Sequence, residues 1–569
     1  MSKPTAIQTP PESTPAALKR LFERANAEQA AGNSRQAELT CREILALDDA
    51  HFGAWHLLGI IALRAGDAVS AVSSIERAVA LAPGRADCRS SLGFALTALG
   101  RREDAEAAFR KAIELDPSSF ESHFQLGNFR MERGRFAEAE TCYRRALALV
   151  PAHAQTHNNL GLALGQQRRL EEAAGHFRRA AEIWPGYAEA HANLGHTLRL
   201  ARRPQDAEEA CRRALAVAPG MFVAQFNRGL ALQDLGRLDE ALACFRGANT
   251  ADPNYPMAVA SEAVLHLLRG NFAEGWPKYE ARWRIGDLPP RHFSQPQWRG
   301  EPLAGRTILL YAEQGFGDAI QFLRYVPLVI ARGGQVVLEV HAPLVPLAAR
   351  IPGIKLVARG ESLPAFDLQC ALLSLPLAFG TKLDGIPANV PYLSPTPERV
   401  DHWAGRIGQV PGVKVGIAWA GRSTHRNDHN RSIPLDRLKP LFELAGARFF
   451  SLQVGAAARE LAAIEPSAID DLSGELIDFA ETAAAIANLD LVICVDTAVA
   501  HLAGALGRPV WVLLPFPPDW RWLLGRGDSP WYPSMRLFRQ RQGDDWAAVL
   551  ASVRQALAER VGARPGTAM

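Results

Sequence analysis

Residues 125–151 read QLGNFRMERGRFAEAETCYRRALALVP, and residues 159–185 read NLGLALGQQRRLEEAAGHFRRAAEIWP. The two stretches begin 34 residues apart, and each carries a glycine at its third position and a proline at its end. The same spacing repeats through the first half of the chain, at Pro83, Pro117, Pro151, Pro185, Pro219 and Pro253 and at Gly59, Gly93, Gly127, Gly161, Gly195 and Gly229. Because proline ends a helix and glycine lets two helices approach closely, the spacing predicts a helical repeat array.

Two further positions define which kind of repeat this is. Small residues recur at positions 71, 105, 139, 173, 207 and 241, and a larger side chain such as Phe109 or Tyr143 follows four residues later and is expected to fill the gap between neighbouring units. This register is that of the tetratricopeptide (TPR) repeat, a pair of helices. Weaker signals at both ends extend the array to about eight units over residues 16–287. We therefore expect an all-α TPR superhelix with a concave groove.

One line of carboxamide side chains is predicted to lie in that groove. It comprises Gln125, Asn159, Asn193 and Asn227, each two residues before a repeat glycine. A carboxamide offers a donor and an acceptor together, which suits the backbone of an extended peptide. Two alternatives stay open: asparagine is common at this TPR position, and the groove can hold another part of the same protein.

The composition of the chain bears on its possible partners and on its compartment. Lys plus Arg total 63 and Asp plus Glu total 60, so the charge gives no support to nucleic-acid or membrane-surface binding. No apolar run is long enough to span a bilayer. The polar, proline-rich residues 1–15 read as a disordered tail rather than a signal peptide. Seven cysteines without a CxxC pair indicate reduced thiols in a cytoplasmic protein, with no disulfide or metal role.

The second half of the chain alternates apolar strands with helices. After a proline-rich linker at 288–305, one series of strand candidates starts at RTILLYA and a second starts at VKVGIAWAG. Two such series predict two Rossmann-like domains, at residues 306–405 and 406–562, facing a cleft. A final helix near 544–561 is expected to cross back over the first of them. The motifs of P-loop, dehydrogenase and α/β-hydrolase sites are missing from the sequence.

Three stretches of this half carry candidate chemistry. In AEQGFGDAIQFLRYVP, Asp318 falls in the first turn of a helix at the sheet edge where α/β proteins bind ligands. In LDLVICVDTAVAHLAGALGRPV, a helix begins after Asp496, and its first N–H groups suit a diphosphate. In WAGRSTHRNDHNRSIP, Arg422, Arg426 and Arg431 can neutralise phosphate.

Each of these stretches also has a purely structural interpretation. An acid in a first turn, such as Asp318, answers the positive end of its helix. Asp496 can be a helix cap with His501 packed on the first turn. The third stretch can be a charged surface loop, although its His425, Asp428 and His429 leave a metal site open.

The GFGDAIQFLRYVP and VDTAVAHLAGALGRPV segments resemble the two signature regions of glycosyltransferase family 9, the ADP-heptose:lipopolysaccharide heptosyltransferases, over roughly residues 300–545. The resemblance implies a GT-B fold, with Asp318 as the base that accepts the acceptor proton. It also implies a set of donor-binding residues, which are Gly315, Gly317, Arg431, Asp496, Thr497, Ala498, Val499 and His501. The DTAVAHLAG sequence replaces the family's usual serine–glycine–proline run, which leaves the donor sugar open. The overall plan, TPR followed by GT-B, is similar to protein O-GlcNAc transferase.

Together these patterns predict an inverting, metal-independent glycosyltransferase that uses a nucleotide sugar and no other cofactor. The TPR array is expected to recognise a protein or peptide acceptor. Two alternatives remain: a lipopolysaccharide-type glycosyltransferase whose TPR array only docks partners, and a TPR scaffold whose GT-B half has lost catalysis.

Overall fold

The computed structural model covers most of the chain, and the residues it describes are 14–286, 291–425, 427–465, 467–541, 543 and 545–563. The chain divides into two compact units, with the boundary between Asn227 and Arg228. The boundary between the two units therefore falls inside the repeat array. The predicted end of the array, at residue 287, is instead where the 34-residue periodicity of the sequence ends. Most of the predicted tail at residues 1–15, up to residue 13, lies outside the described residues.

Sixteen α-helices follow one another from Pro15 to Tyr279. They are α1 Pro15–Ala30, α2 Ser34–Leu47, α3 Phe52–Arg64, α4 Ala68–Leu81, α5 Ala86–Ala98, α6 Arg102–Leu115, α7 Phe120–Glu132, α8 Phe136–Leu149, α9 Ala154–Gln166, α10 Leu170–Ile183, α11 Ala188–Leu200, α12 Pro204–Val217, α13 Phe222–Asp234, α14 Leu238–Ala251, α15 Pro256–Leu268 and α16 Phe272–Tyr279. A 3-10 turn, Glu280–Arg284, ends the series. The predicted all-helical TPR array is confirmed.

The repeat glycines explain how the two helices of a pair approach. A Cβ atom on Gly161 of α9 would stand 2.8 Å from the ring of Phe177 on α10, and one on Gly127 would stand 2.5 Å from Tyr143. The large residue thus fills the space that the glycine leaves open within its own pair. It also reaches the next pair, since the Phe109 ring lies 6.0 Å from that of Phe129.

The second half contains two parallel sheets, which confirms the predicted α/β class. The first has the strand order β3-β2-β1-β4, and its strands are β1 Thr307–Tyr311, β2 Gln335–Val340, β3 Ile354–Ala358 and β4 Leu368–Ala371. Its α-helices are α17 Phe316–Phe322, α18 Val326–Ile330, α19 Val345–Ala348 and α20 Leu375–Ala378. Short 3-10 turns, at Leu323–Tyr325, Ala342–Leu344 and Leu372–Ser374, break or begin these helices, and a further one lies at Leu383–Gly385.

The second sheet has the order β10-β9-β8-β5-β6-β7. Its strands are β5 Val413–Ala418, β6 Ala447–Ser451, β7 Asp470–Asp471, β8 Leu491–Val495, β9 Val510–Leu514 and β10 Met535–Arg539. Its α-helices are α21 Pro397–Ile407, α22 Asp428–Arg431, α23 Lys439–Phe442, α24 Phe479–Ala487, α25 Ala498–Ala505 and α26 Trp546–Gly562. Its 3-10 turns are Leu435–Leu438, Ala456–Ala463 and Trp520–Trp522.

The final helix α26 requires a correction. Val553 and Leu557 of α26 belong to the same buried cluster as Val415 of β5 and Ile493 of β8. The helix therefore packs on the second sheet, rather than crossing over the first as expected. The helix directly follows β10 of the second sheet, and its apolar face is buried against that sheet, so the chain does not return to the first sheet.

Other differences from the sequence-based expectation concern short elements. Strand β7 and helices α21 and α22 were not predicted, and residues Ala456–Ala463 form a 3-10 turn. The predicted linker, whose residues 288–290 lie outside the described part, is attached to the first sheet because Trp298 donates its backbone N–H to the Gln369 carbonyl at 2.8 Å. In the described parts of the chain, no helix has the length and apolar character needed to cross a membrane.

Candidate functional site

Asp318 lies where α17 begins, just beyond the carboxyl end of β1. Its Oδ2 accepts the Gly315 backbone N–H at 2.8 Å, so the carboxylate caps the helix from its third position. This is the structural role that a first-turn acid was expected to have. The other oxygen, Oδ1, accepts a hydrogen bond from Arg521. We call the parts of the chain that form the first and second sheets the first and second lobes, and Arg521 belongs to the second lobe. Both oxygens of the candidate base therefore have partners.

Gly317 and His501 join the start of α17 to α25. A Cβ atom on Gly317 would lie 2.8 Å from His501 Cδ2, so only glycine allows this approach. His501 is buried, its Nδ1 is 3.0 Å from the Tyr532 hydroxyl, and its ring stacks on Trp522. Burial, together with the positive charge of Arg521, holds the pKa of His501 well below its usual value. His501 is thus a neutral packing residue here, as its structural interpretation proposed, and a donor-binding role stays a prediction.

The start of α25 is the expected anion site. Asp496 follows β8, Thr497 is the N-cap, and Ala498 and Val499 form the first turn, where helix N–H groups have no partner within the helix. The Thr497 side chain does not cap the helix, and its buried Oγ1 has no hydrogen-bond partner among the described residues. Arg431 donates from Nη1 to the Asp496 carbonyl at 2.9 Å.

Asp496 differs from an ordinary helix-capping aspartate. Burial, with the negative charge of Asp519 beside it, raises the pKa of Asp496 to about 6. The Trp522 indole and the guanidinium groups of Arg431 and Arg521 oppose this rise in pKa. Asp496 therefore carries a proton below about pH 6, and this would reduce its repulsion of a bound phosphate there.

Arg521 was not predicted as a site residue; it lies in the 3-10 turn after β9 and is 7% exposed. Its Nη1 donates to Asp519 at 2.8 Å, its Nε donates to Gln321 at 2.9 Å, and its Nη2 donates to Asp318. Its guanidinium also stacks over the Trp520 ring at 4.3 Å. The sequence feature that could have identified Arg521 is DWRW at 519–522, which follows β9 after four residues and lies beyond the carboxyl end of that strand.

Glu313 was also missed, although it lies in the same stretch as Asp318. The side chain is buried, and Oε1 accepts hydrogen bonds from Arg282 at 3.1 Å and from the Leu373 backbone at 3.2 Å. Its Oε2 has no hydrogen-bond partner among the described residues. Burial raises the pKa of Glu313 to about 7, although the Arg282 guanidinium opposes the rise.

The polar loop after β5 ends in the short helix α22. Asp428 accepts from Arg431 at 3.3 Å and from Ser432 at 3.0 Å, which orients Arg431 toward the start of α25. The Arg422 guanidinium lies 5.7 Å from the centre of the Phe316 ring in α17. Arg426 lies outside the described residues. The loop thus supplies cations to the same edge of the sheet.

Among the described residues, a different trio has metal-ligand spacing. His56, Asp87 and Cys88 bring their ligand atoms within 4.8 Å of one another. However, Arg85 holds Asp87 with two hydrogen bonds, and burial raises the pKa of the Cys88 thiol to about 11. Because metals bind the thiolate, this trio is better explained as packing with a surface ion pair.

The predicted groove residues form a chain of hydrogen bonds with one another. Asn193 donates to Asn158 at 2.9 Å, and Asn158 donates to Asn159 at 3.2 Å. Asn159 in turn donates to Asn128 at 3.0 Å, and Asn128 donates to Gln125 at 3.3 Å. We call these five side chains the amide ladder. Three of these four hydrogen bonds run toward the start of the array, and the fourth joins the neighbours Asn158 and Asn159.

The fourth predicted groove residue lies outside the ladder. Asn227 is 7% exposed, and its side chain hydrogen-bonds His196. Three of the four predicted residues, Gln125, Asn159 and Asn193, are thus linked through Asn128 and Asn158, which were not predicted.

Neither of the two described cavities is lined by Asp318, Asp496 or Thr497. The larger, of about 550 Å³, is lined by residues that include Leu268, Leu383 and Leu523. A smaller one of about 300 Å³ lies beside Tyr325 and Phe379. At the cleft itself, the starts of α17 and α25 are in contact through Gly317 and His501. The geometry brings a carboxylate, two arginines and a helix start to one place.

Comparison with known proteins identifies parts of the chain. Residues 454–513 match glycosyltransferase family 9 (heptosyltransferase), a segment that contains Asp496, Thr497 and His501. Asp318, Arg431 and Arg521 lie outside that match. Residues 5–157 match the TPR domain of cytochrome c-type biogenesis protein H, and tetratricopeptide repeats match 153–184, 192–256 and 226–287.

Similar proteins cover the chain in part. Protein FlbA of Caulobacter vibrioides is 30% identical over 359 residues, which span 57% of this chain and 59% of FlbA. Among solved structures, YrrB, a TPR protein with an unusual peptide-binding site, is 21% identical with a TM-score of 0.32, over 34% of this chain and 98% of YrrB. MamA is 25% identical with a TM-score of 0.28, over 28% of this chain and 95% of MamA. The chain thus combines tetratricopeptide repeats in its N-terminal half with a glycosyltransferase family 9 segment near its C-terminus.

Proposed function

We propose that the chain is an inverting, metal-independent GT-B glycosyltransferase that transfers a sugar from a nucleotide sugar to a protein or peptide. Its domains would be the TPR array at 16–287, a linker at 288–305, and two Rossmann-like domains at 306–405 and 406–562. The observation that carries the proposal is the contact of Gly317, the residue before Asp318, with Ala498 and His501 at the start of α25, which is far away in sequence. No nucleic acid, membrane span, metal or further cofactor is part of the proposal, and the cytoplasm is the proposed location.

The chemistry follows from what each group can do. Asp318 would accept the proton of the acceptor hydroxyl as that oxygen attacks the anomeric carbon. The bond from that carbon to the diphosphate breaks at the same time, and the charge on the departing diphosphate grows. The first N–H groups of α25 at Thr497, Ala498 and Val499, together with Arg431, would stabilise this charge.

Acceptor recognition is assigned to the groove of the TPR array. The half-buried amides of Gln125, Asn159 and Asn193 are oriented by the ladder, which lowers the entropy that they would lose on binding a peptide. In the lipopolysaccharide-type alternative, the same groove docks a partner protein and the acceptor is a saccharide.

A non-catalytic scaffold is the second candidate, and one observation favours it. Both oxygens of Asp318 are engaged, by Gly315 and by Arg521. If this arrangement never changes, Asp318 is a structural residue that joins two lobes.

The test is a thermal-shift screen of nucleotide sugars with the full chain. A donor that binds the folded state raises the melting temperature with its concentration. Thr497→Asp is the informative variant, because aspartate is a good N-cap but brings a negative charge to the diphosphate site. It should fold and lose the shift, whereas Thr497→Ser should keep it.

Transfer is then measured with the donor that binds. Label reaching a polypeptide supports the proposal, and label reaching only a saccharide supports the lipopolysaccharide-type alternative. If no donor shifts the wild-type protein, the glycosyltransferase proposal fails and the scaffold is favoured.

A further inference from the structure

Arg521 is the group that joins the candidate base to the second lobe. It is buried and makes three side-chain hydrogen bonds, of which those to Asp318 and Gln321 cross to α17. The third, to Asp519, stays within its own turn. A guanidinium has five N–H donors in a fixed fork, so it can serve two anions at once.

The contact with Arg521 affects what Asp318 can do. The Arg521 guanidinium occupies Oδ1, and Oδ2 already caps α17 through Gly315. A hydroxyl that must deliver its proton to this carboxylate therefore competes with a charge-assisted hydrogen bond. Drawing Arg521 away would leave Oδ1 open to the acceptor hydroxyl.

The expected anion site is next to Arg521. Strands β8 and β9 are parallel neighbours, so the start of α25 after β8 and the turn after β9 share one edge of the sheet. The charge of Arg521 acts on Asp496, the residue before the N-cap of α25. A diphosphate at Thr497 would therefore lie within reach of the guanidinium, and arginine pairs with phosphate oxygens through its fork.

We propose that Arg521 is shared between Asp318 and the donor: a bound diphosphate takes the guanidinium from Asp318 and frees the carboxylate to accept a proton. This inference rests on the proposed function and adds an order of events, because the donor must bind before the base is available. It makes Arg521 a positioning residue for the base and a binding residue for the diphosphate. Without donor, Asp318 stays paired.

A second contact between the lobes allows the idea to be tested by substitution. Arg324 of the first lobe donates to the Trp531 carbonyl at 2.7 Å, and it lies 4.5 Å from the centre of the Tyr532 ring. This clamp does not involve Arg521. The lobes should therefore stay together when Arg521 is replaced, and circular dichroism with the melting temperature checks that they do.

The experiment measures the affinity of ADP, GDP and UDP, and of their sugars, by calorimetry. The proteins are the full-length wild type, Arg521→Gln, Asp318→Asn and the double variant. Arg521→Gln should bind these nucleotides at least about 10-fold more weakly than wild type, because the substitution removes a charge-assisted hydrogen bond to the diphosphate. Asp318→Asn should bind about 3-fold to 10-fold more tightly, because Arg521 no longer has to leave a carboxylate.

The double variant decides between sharing and simple clamping. If Arg521 is shared, Asp318→Asn has no effect on affinity once Arg521 is replaced by glutamine. If Arg521 only clamps the lobes, Asp318→Asn leaves affinity unchanged or weakens it, and the inference is overturned. Arg521→Lys, which keeps the charge without the fork, should fall between wild type and Arg521→Gln and serves if the glutamine variant unfolds.

The matched control is the ion pair of Arg448 with Asp470 at 2.8 Å, which links β6 to β7 in the same lobe. Asp470→Asn should not change nucleotide affinity. Failure of the proposed function has a different signature, since then the wild type itself binds none of the nucleotides or sugars. Wild-type binding that Asp318→Asn does not tighten defeats the sharing of Arg521 alone.

Discussion

Gly317 and His501 lie so close together that residue 317 has no room for a methyl side chain. The nearest ring atom, Cδ2, is 2.8 Å from where a Cβ atom on Gly317 would be, and Ala498 Cα is 3.5 Å from the same point. His501 cannot easily move aside, because it contacts the Tyr532 hydroxyl and stacks on Trp522. The start of α17 and the start of α25 are therefore fixed against each other by one glycine.

Gly317→Ala tests this contact. Forcing a methyl group into a packed site typically costs about 1 to 3 kcal/mol, so the variant should melt at a lower temperature than wild type. It should also separate Asp318 from Arg521, and weaken nucleotide binding if the site is as proposed. Gly405→Ala in α21 is the control, since nothing lies within 4 Å of its added methyl and alanine favours a helix. Equal melting of Gly317→Ala and wild type would contradict the tight approach.

The repeat glycines allow a sharper comparison within a single helix. Gly161 and Gly165 both belong to α9, but a Cβ atom on Gly161 would meet Phe177 at 2.8 Å whereas one on Gly165 would meet nothing within 4 Å. Gly161→Ala should therefore destabilise the array by about 1 to 3 kcal/mol. Gly165→Ala should stabilise it by up to about 1 kcal/mol, because alanine is the better helix former. Thermal unfolding followed by circular dichroism at 222 nm (about the helical minimum) gives both values, and similar shifts would show that propensity alone decides.

The repeats could be predicted in detail because each position recurs many times. Gly161 and Phe177 follow from spacing alone, and so does the proline that ends each pair. The strands of the two sheets were also predicted, since buried parallel strands are continuous apolar runs. Strand β7 was missed because Asp470 and Asp471 are polar and the strand is two residues long.

The site was harder to predict than the fold. Asp318 and Asp496 could be found because each follows a recognisable strand and opens a helix. Arg521 could not be paired with Asp318, because their contact depends on how two lobes meet and no local pattern records it. Likewise, His501 is packed against Trp522 and Tyr532, which lie more than 20 residues later in the chain. The sequence around His501 does not record these contacts.

Glu313 gives a prediction for pH. The folded pKa of Glu313 is about 7, above the value of 4.5 expected in the unfolded chain, so the folded protein binds the proton more tightly. Wild-type stability should therefore fall as pH rises from about 4.5 to 7, by roughly 1 to 3 kcal/mol from this group, and level off above. Glu313→Gln should lack this slope, so its melting temperature should gain on that of wild type between pH 5 and pH 8 (about the ends of that window).

The exposed Glu121 supplies the control for that measurement. Glu121→Gln makes the same carboxylate-to-amide change at an exposed position in the first turn of α7, where a carboxylate is favoured by the positive end of the helix. Its melting temperature should therefore not gain on that of wild type as the pH rises, in contrast to that of Glu313→Gln. A wild-type protein that loses no stability relative to Glu313→Gln would show that Arg282 compensates fully for burial.

Variants of the amide ladder can distinguish a role in binding a polypeptide from a role in stiffening the TPR array. Asn158 is 5% exposed, whereas its neighbour Asn159 is half-buried, and each donates one ladder hydrogen bond and accepts another. Replacing either by alanine leaves partners unpaired and should cost about 1 to 3 kcal/mol of stability. If the groove holds a peptide backbone, Asn159→Ala should also weaken polypeptide binding about 5-fold to 10-fold beyond Asn158→Ala, because its amide can reach a ligand. Nucleotide affinity should be unchanged in both variants. Equal polypeptide affinity in the two, measured by calorimetry with the acceptor that receives the label, would show that the ladder only stiffens the array.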